Sequence, residues 1–322
     1  MRLLFAIAAG VLVLGGCVDD APHRADSGLS RIRVALFPVG STLPAHVALT
    51  RGMFERHGLQ IELTEGQDLP AFMAALAKEQ YDIVMSVPTL LLIGAEKHLD
   101  LQIIAGLQRQ SRERPNAVWI TRDPRVESLA QLAGKAIAVP SLTGMITDAL
   151  RYLLDRNSVD PSDVRLIQMP FATMGDQLQA GHVDAAVATI PFSAAIAARG
   201  FRVHDDVVVE AVRDASGGTV DTAMTSVWLA SRTFASENPK MIAAWRDSLS
   251  EATAYLDADE AEARALMETW LKIPPAVLDR AQLPDWTIEM TPRELAPYIT
   301  ISKAVGSTKT DPDVNTLVWQ GP

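Results

Sequence analysis

The sequence predicts an α/β protein built from two similar units, and three observations support this. Between residues 32 and 188, short apolar runs that suit β-strands alternate with longer segments of helical periodicity. The alternation occurs twice, and a chain of 322 residues is long enough for two domains of ordinary size. The composition, with 48% apolar and 21% charged residues, is typical of a folded globular protein.

The first unit alternates strictly between strands and helices. Its predicted strands cover residues 32–37, 61–63, 82–85 and 101–107, and its predicted helices cover residues 45–57, 70–80 and 89–97. Gly58 directly follows the first of these helices. Glycine ends helices readily because it adopts a left-handed conformation at little cost.

The second unit repeats this pattern and is followed by a helical region. Its predicted strands cover residues 135–139, 164–169 and 184–188, and its predicted helices cover residues 144–157 and 174–181. From residue 238 onward the pattern is almost wholly helical. Asp160 and Asn238 each precede a proline, a combination that begins helices, and Thr291 with Glu294 predicts a capping box.

Two similar strand patterns bracket the second unit. Residues 117–121 and 226–230 each contain a Val-Trp pair. If both strands pass between domains, lobe 1 is discontinuous and comprises residues 31–117 plus 222–322, whereas lobe 2 comprises residues 118–221. Trp119 and Trp228 then lie in the hinge. Both segments are also compatible with ordinary core strands.

The first residues predict export and lipid attachment. Arg2 and an apolar run over residues 3–14 suit a signal peptide and are too short to span a bilayer. The Leu-Gly-Gly-Cys sequence ending at Cys17 resembles a bacterial lipobox, so residues 1–17 are expected to be a lipoprotein signal peptide and residues 18–30 a flexible tether. The alternative is a plain signal peptide with an incidental cysteine, but Cys17 is the single cysteine of the chain and stands where the motif requires it. We expect a protein of the periplasm or cell surface, attached to the membrane by lipid only and without disulfides.

Charge and motifs exclude several function classes. The net charge of −10 argues against nucleic acid or an anionic membrane surface as the main partner. The six histidines show no metal-ligand spacing, and the sequence contains no Gly-x-Ser-x-Gly elbow, phosphate-binding loop or dinucleotide fingerprint. We therefore expect no metal, no cofactor and no catalytic residues.

Five segments together resemble the family of periplasmic binding proteins for nitrate, sulfonates, taurine and thiamine-precursor pyrimidines. They are residues 48–62, 74–83, 129–140 (with Leu132-Ala133-Gly134-Lys135), 179–185 and 228–239. Their order and spacing carry the resemblance, which runs from about residue 32 to at least residue 271. It implies a type II periplasmic-binding-protein fold, with two Rossmann-like lobes joined by a two-strand hinge. It also implies a monomer that delivers a small molecule to the permease and ATPase subunits of an ABC importer, without chemistry on the ligand.

Candidate ligand-binding residues follow the predicted strands, because ligands of open α/β sheets bind beyond the carboxyl ends of strands. They are Phe37, Gly40, Ser41, Ser86, Thr89, Ser141, Thr143, Gly144, Met145, Thr189 and Ser226. The loop 141–145 favours an anionic or electronegative group, because a helix begins there with free N–H groups and the positive end of its dipole. Each residue also has a simpler explanation as a helix cap, a turn glycine or a core side chain.

Departures from the family pattern narrow the ligand class. Amine-binding relatives carry an acidic residue where this chain has Thr225-Ser226, and many relatives carry an aromatic-acidic-proline triplet where it has Thr189-Ile190-Pro191. Because a buried ammonium needs a carboxylate partner, we expect a neutral or anionic small organic molecule with an apolar portion. Two alternatives stay open: a ligand-sensing module for a membrane receptor and, less favoured, an enzyme on the same fold.

Overall fold

The computed structural model describes residues 28–279 and 281–321. The expected signal peptide, its lipidated Cys17 and most of the expected tether lie outside the described residues. Within the described ranges, no helix combines the length and apolar character that crossing a membrane requires.

The described residues form eleven strands and fourteen α-helices. The strands are β1 (Ser30–Leu36), β2 (Leu59–Glu65), β3 (Ile83–Ser86), β4 (Gln102–Gln110), β5 (Val118–Thr121), β6 (Ala136–Val139), β7 (Arg165–Gln168), β8 (Ala185–Ala188), β9 (Arg202–Asp206), β10 (Ala223–Ala230) and β11 (Asp285–Trp286). The helices are α1 (Leu43–Thr50), α2 (Met53–Arg56), α3 (Leu69–Leu76), α4 (Pro88–Glu96), α5 (Met145–Arg156), α6 (Phe171–Ala180), α7 (Phe192–Ala197), α8 (Val207–Ala215), α9 (Arg232–Glu237), α10 (Pro239–Ala258), α11 (Glu260–Leu271), α12 (Pro275–Leu278), α13 (Pro292–Ala304) and α14 (Val314–Leu317).

The strands form two separate sheets. The first has the order β11-β4-β10-β3-β1-β2, and the second has the order β7-β6-β8-β5-β9. In the first sheet β1 is parallel to β2 and β3, whereas β10 runs antiparallel between β3 and β4. In the second, β6 is parallel to β7 and β8, whereas β5 runs antiparallel to β8 and β9. The two-unit α/β prediction is therefore confirmed.

A hydrophobic cluster joins the two sheets. It includes Trp119 of the second sheet, Val227 of the first, and buried residues of α5, α8 and α13. In α13 the fully buried Tyr298 donates its hydroxyl to Met224 O at 2.6 Å, and burial raises the pKa of this phenol. The lobes therefore share packed helices on one side.

Helix boundaries mostly follow the local sequence signals. Asp160 accepts Ser162 N–H at 2.8 Å, and Thr291 with Glu294 forms the predicted capping box. The helix predicted over residues 45–57 is instead the pair α1 and α2, because Gly52 between them has a φ of 67°. Neither β9 nor α8 was predicted.

Trp119 and Trp228 lie within strands of the two sheets, and their role in a hinge stays a prediction. Trp119 is buried in β5 between β8 and β9, and Trp228 is buried in β10 between β3 and β4. Both are core residues, because their strands are paired on both sides. The chain passes between sheets at residues 111–117, after β4, and at residues 216–222, before β10. The division into lobes at residues 117/118 and 221/222 falls at the ends of these passages and stays a prediction.

Candidate functional site

A cavity of about 550 Å³ lies between the two sheets, beyond the carboxyl ends of β1, β3 and β8. From the first sheet and its loops it is lined by Phe37, Pro38, Val39, Gly40, Ser41, Met85, Val87, Gln108, Arg109, Gln110, Thr225 and Ser226. From the second unit it is lined by Met145, Ile146, Phe171, Thr189, Ile190, Pro191 and Phe192. The remaining lining is Arg114–Ala117 of the first passage and a C-terminal wall, which we define as Met267, Leu271, Ile273, Leu278 and Ala281–Asp285.

Six of the predicted site residues line this cavity. They are Phe37, Gly40, Ser41, Met145, Thr189 and Ser226. They come from loops and strand ends that are far apart in sequence, as the rule for open α/β sheets predicts. That they bind a ligand stays a prediction.

Five predicted residues do not line the cavity: Ser86, Thr89, Ser141, Thr143 and Gly144. Ser86 is fully buried and its hydroxyl donates to Met73 Sδ at 3.3 Å, and Thr89 is buried in α4.

The loop before α5 is held by hydrogen bonds of its own. Thr143 N–H donates to Ser141 Oγ at 3.3 Å, and the Thr147 hydroxyl donates to Ser141 O at 2.6 Å. The part of α5 that reaches the cavity is its apolar start, Met145 and Ile146. The anion-binding loop expected from the sequence therefore lies outside the cavity lining.

The loop after β1 is fixed against the C-terminal wall. The Thr42 hydroxyl donates to Phe37 O at 2.9 Å and lies 2.8 Å from Val39 O, and Trp286 Nε1 donates to Gly40 O at 2.9 Å. A Cβ atom on Gly40 would lie 2.9 Å from Met267 Cε, the flexible end of that side chain, and 3.2 Å from Pro284 Cγ, so the loop and the wall are in close contact.

An aromatic pair forms the opposite side of the cavity. Phe171 and Phe192 begin α6 and α7, and their rings are stacked with centroids 5.7 Å apart. Phe192 is 36% exposed, which is high for a large apolar side chain. Stacked rings open to a cavity offer an apolar surface to a ligand.

The arginines among the described lining residues already have carboxylate partners. Arg109 Nη2 lies 3.1 Å from Glu294 Oε1, and Arg114 Nη1 lies 3.8 Å from Asp285 Oδ1. Within the described ranges, no three His, Cys, Asp or Glu side chains lie close enough together to hold a metal ion.

Three residues that line the cavity have a buried polar atom without a hydrogen-bond partner: Gln110 Oε1, Ser226 Oγ and Arg109 Nε. Gln110 is not among the residues predicted from the sequence, although Gln108-Arg109-Gln110 is a polar end on an apolar strand. The C-terminal wall is also not predicted, because the sequence there offers no signal beyond helical periodicity.

The arrangement of two α/β lobes around a cavity is the type II periplasmic-binding-protein fold, and comparison with solved structures bears this out. The periplasmic aliphatic sulphonate binding protein SsuA from Escherichia coli superposes with a TM-score of 0.73 at 18% identity, covering 91% of this chain and 92% of that one. The periplasmic nitrate-binding protein NrtA from Synechocystis PCC 6803 superposes with a TM-score of 0.67 at 14% identity, covering 90% and 86%.

The model of the NMT1-like family matches residues 25–272, so the chain belongs to the NMT1-like family. Among curated proteins, the nitrate import ATP-binding protein NrtC of Synechocystis sp. (strain ATCC 27184 / PCC 6803 / Kazusa) is 26% identical over 190 residues. That alignment covers 53% of this chain and 28% of the relative, so the chain spans less than a third of NrtC.

Proposed function

We propose that this protein is a solute-binding protein that captures a small organic molecule between its lobes and delivers it to an ABC importer. The observation that carries the proposal is the cavity of about 550 Å³ with walls from both sheets. Small-molecule sites typically enclose about 300–1,000 Å³ and are mostly apolar with a few polar groups. A ligand there touches both lobes at once.

The transport role draws further support from the relatives. One is named as an import ATP-binding protein, and two structural neighbours are named as periplasmic binding proteins for nitrate or sulphonate. In the proposed mechanism the ligand favours a closed arrangement of the lobes by contacting both, and the closed form engages the permease of the importer. The ligand is released unchanged, and the protein works as a monomer.

We also propose an extracytoplasmic location with lipid attachment at Cys17. The apolar run and the Leu-Gly-Gly-Cys sequence support this. Metabolic labelling with an alkynyl palmitate analogue should label the wild-type protein, and Cys17→Ser should lose both the label and sedimentation with membranes. A labelled Cys17→Ser protein would contradict the proposed anchor.

A thermal-shift screen of the purified full-length protein tests the binding function. The panel contains sulfonates, nitrate, carboxylates, pyrimidines, aromatic acids and aromatic amides. A ligand that binds only the folded state raises the melting temperature by mass action. Thr189→Trp, which places a large side chain in the cavity, should abolish the shift, whereas Thr173→Trp on the exposed face of α6 should retain it. A shift that persists in Thr189→Trp would place binding elsewhere.

A further inference from the structure

We infer that the ligand is an uncharged amphiphile, with an apolar body and a neutral head that carries N–H or O–H groups. This inference rests on the proposed binding function and specifies the chemical class of its ligand. It depends on three features of the cavity: two buried polar groups, the pairing of its charges and the apolar C-terminal wall.

The two polar groups belong to neighbouring strands. Gln110 ends β4 and is 1% exposed, and Ser226 of the antiparallel β10 is 4% exposed. In the register of the two strands Ser226 is opposite Gln108, two residues before Gln110. Gln110 Oε1 and Ser226 Oγ both lack a partner, although buried polar atoms are nearly always hydrogen-bonded. A ligand that supplies the missing hydrogen bonds removes this desolvation penalty.

The chemistry of these two groups selects a neutral head. A carboxamide oxygen can only accept a hydrogen bond, and a hydroxyl can donate or accept. A ligand amide, alcohol or ring N–H satisfies Gln110 Oε1, whereas a carboxylate or sulfonate head has acceptors alone and leaves it unpaired. A site built to hydrogen-bond N–H or O–H groups discriminates strongly against analogues that lack them.

The two arginines that line the cavity each have a carboxylate partner, so their charges are compensated, and the unpartnered Arg109 Nε offers an N–H that the carbonyl of a neutral amide can accept. Arg109 is paired with Glu294, and Arg114 is paired with Asp285. The loop 141–144, which would supply helix N–H groups to an anion, does not line the cavity. Because an ion moved from water into an apolar site needs a compensating charge, both anions and ammonium ions are disfavoured.

The C-terminal wall forms the part of the cavity that would contact the apolar body of the ligand. Met267, Leu271, Ile273, Leu278 and Leu283 line it. Most of this wall lies beyond residue 272, where the match to the NMT1-like family ends. The feature that favours an apolar body is therefore contributed largely by a part of the chain that the family match does not cover. Together with the aromatic pair it suits an aromatic or branched hydrocarbon body.

Three probes with the same ring system test the inference: 2-naphthamide, 2-naphthoate and naphthalene-2-sulfonate. Titration calorimetry of the purified full-length protein should give the amide at least about tenfold tighter binding than either anion. Gln110→Leu should weaken amide binding by at least about tenfold. Ser226→Ala should have the same effect, and it replaces Gln110→Leu as the test if that variant does not fold. The matched control is Gln102→Leu, which changes a buried glutamine on the same strand outside the cavity lining and should leave affinity unchanged.

The possible failures are distinguishable. Tighter binding of the sulfonate or carboxylate, abolished by Thr189→Trp, would overturn the uncharged ligand class and leave the binding function standing. Equal affinities, no binding of any naphthalene probe, or amide binding unaffected by both Gln110→Leu and Ser226→Ala would also overturn the ligand class. The binding function itself fails separately, if Thr189→Trp retains every shift of the wild-type protein in the thermal screen.

Discussion

At the scale of single residues, Asp206 fixes the first passage between the sheets. Its Oδ2 accepts the N–H groups of Asn116 and Ala117 at 2.8 and 2.9 Å. Its Oδ1 accepts those of Val208 and Val209 at 2.8 and 3.1 Å, which begins α8. Asn116 in turn accepts Ile190 N–H at 3.0 Å with its side-chain oxygen. The buried Asp206 carboxylate therefore fixes the first passage to the start of α8. Through Asn116 it also fixes the position of the cavity loop at Ile190.

Replacement of Asp206 by alanine should be strongly destabilising. Asp206→Ala leaves four backbone N–H groups unpaired, most of them buried, and each such group costs about 1–3 kcal/mol. We expect the free energy of unfolding in urea to fall by at least about 3 kcal/mol. Asp160→Ala removes an exposed cap and should cost about 1 kcal/mol. Equal losses in the two variants would show that Asp206 has no special role.

Asp148 should instead destabilise the protein at neutral pH. It is buried in the first turn of α5, Oδ1 has no partner, and burial raises the pKa of this carboxyl. A raised folded-state pKa means that stability falls as the pH rises above the unfolded value of about 3.9. Asp148→Asn should therefore raise the urea midpoint at pH 7, with a gain that shrinks towards pH 4.

The control for Asp148→Asn is Asp155→Asn, at an exposed position of the same helix. It should change the midpoint little at either pH, because an exposed carboxyl incurs no burial penalty. A midpoint that falls at pH 7 in Asp148→Asn would mean that the carboxylate stabilises α5 despite its burial.

Whether a site residue could be predicted from the sequence depends on what determines the direction of its side chain. Phe37, Ser41 and Thr189 follow strands, and chain order alone locates such loops at the carboxyl ends of the sheets. The same rule predicts Ser86, but alternation along the chain puts Met85 and Val87 in the cavity and turns Ser86 to the opposite side. Gln110 depends on the pairing of β4 with β10, which the sequence does not reveal.

At the scale of elements, Phe171 and Phe192 at the starts of α6 and α7 form an apolar surface in the cavity lining, and Phe171 also packs against a buried cluster of the second sheet. Phe192→Ala should weaken binding of an aromatic ligand by about tenfold, because the loss of one stacked ring from a binding site costs about 0.5–1.5 kcal/mol beyond its buried area. The melting temperature should hardly change, since Phe192 is 36% exposed.

Leu142→Ala is the matched control for Phe192→Ala. Leu142 is 42% exposed and does not line the cavity, so its removal should change neither affinity nor stability. Fluorescence titration of both variants distinguishes a contribution to binding from a general effect of removing surface hydrophobes. Unchanged affinity in Phe192→Ala would exclude the aromatic pair from ligand contact.

Most elements could be predicted, and the exceptions have a physical cause. The alternating runs gave β1–β4 and β6–β8 because buried strands between helices have a strong apolar pattern. The helix α8 begins Val-Val-Val, and β-branched residues favour strands by intrinsic propensity. Capping by Asp206 and packing against α5 and α13 override that preference. Such tertiary contacts cannot be read from the sequence.

At the scale of the whole molecule, the connectivity allows the lobes to move on one side of the cavity. Two passages, residues 111–117 and 216–222, connect the sheets, and the shared hydrophobic cluster lies among α5, α8 and α13. Gln282 Nε2 donates to Glu113 O at 3.3 Å, and Arg114 pairs with Asp285, so the C-terminal wall also contacts the first passage. These contacts across the first passage are few and mostly exposed, and a small change in lobe angle can alter them.

Ligand binding should therefore bring the outer edges of the two sheets closer together. Gln60 on β2 and Arg165 on β7 are exposed residues of the two opposite edge strands. Dyes are attached at Gln60→Cys and Arg165→Cys in a Cys17→Ser background. When the protein is saturated with the compound that gives the largest thermal shift, the distribution of single-molecule energy transfer should become narrower and be centred at higher efficiency. A pair at Thr50→Cys and Gln60→Cys, both on the first lobe, should not respond. Because a ligand shifts the equilibrium only through differential contacts with the two states, an unchanged distribution at full occupancy would contradict closure of the lobes on the ligand.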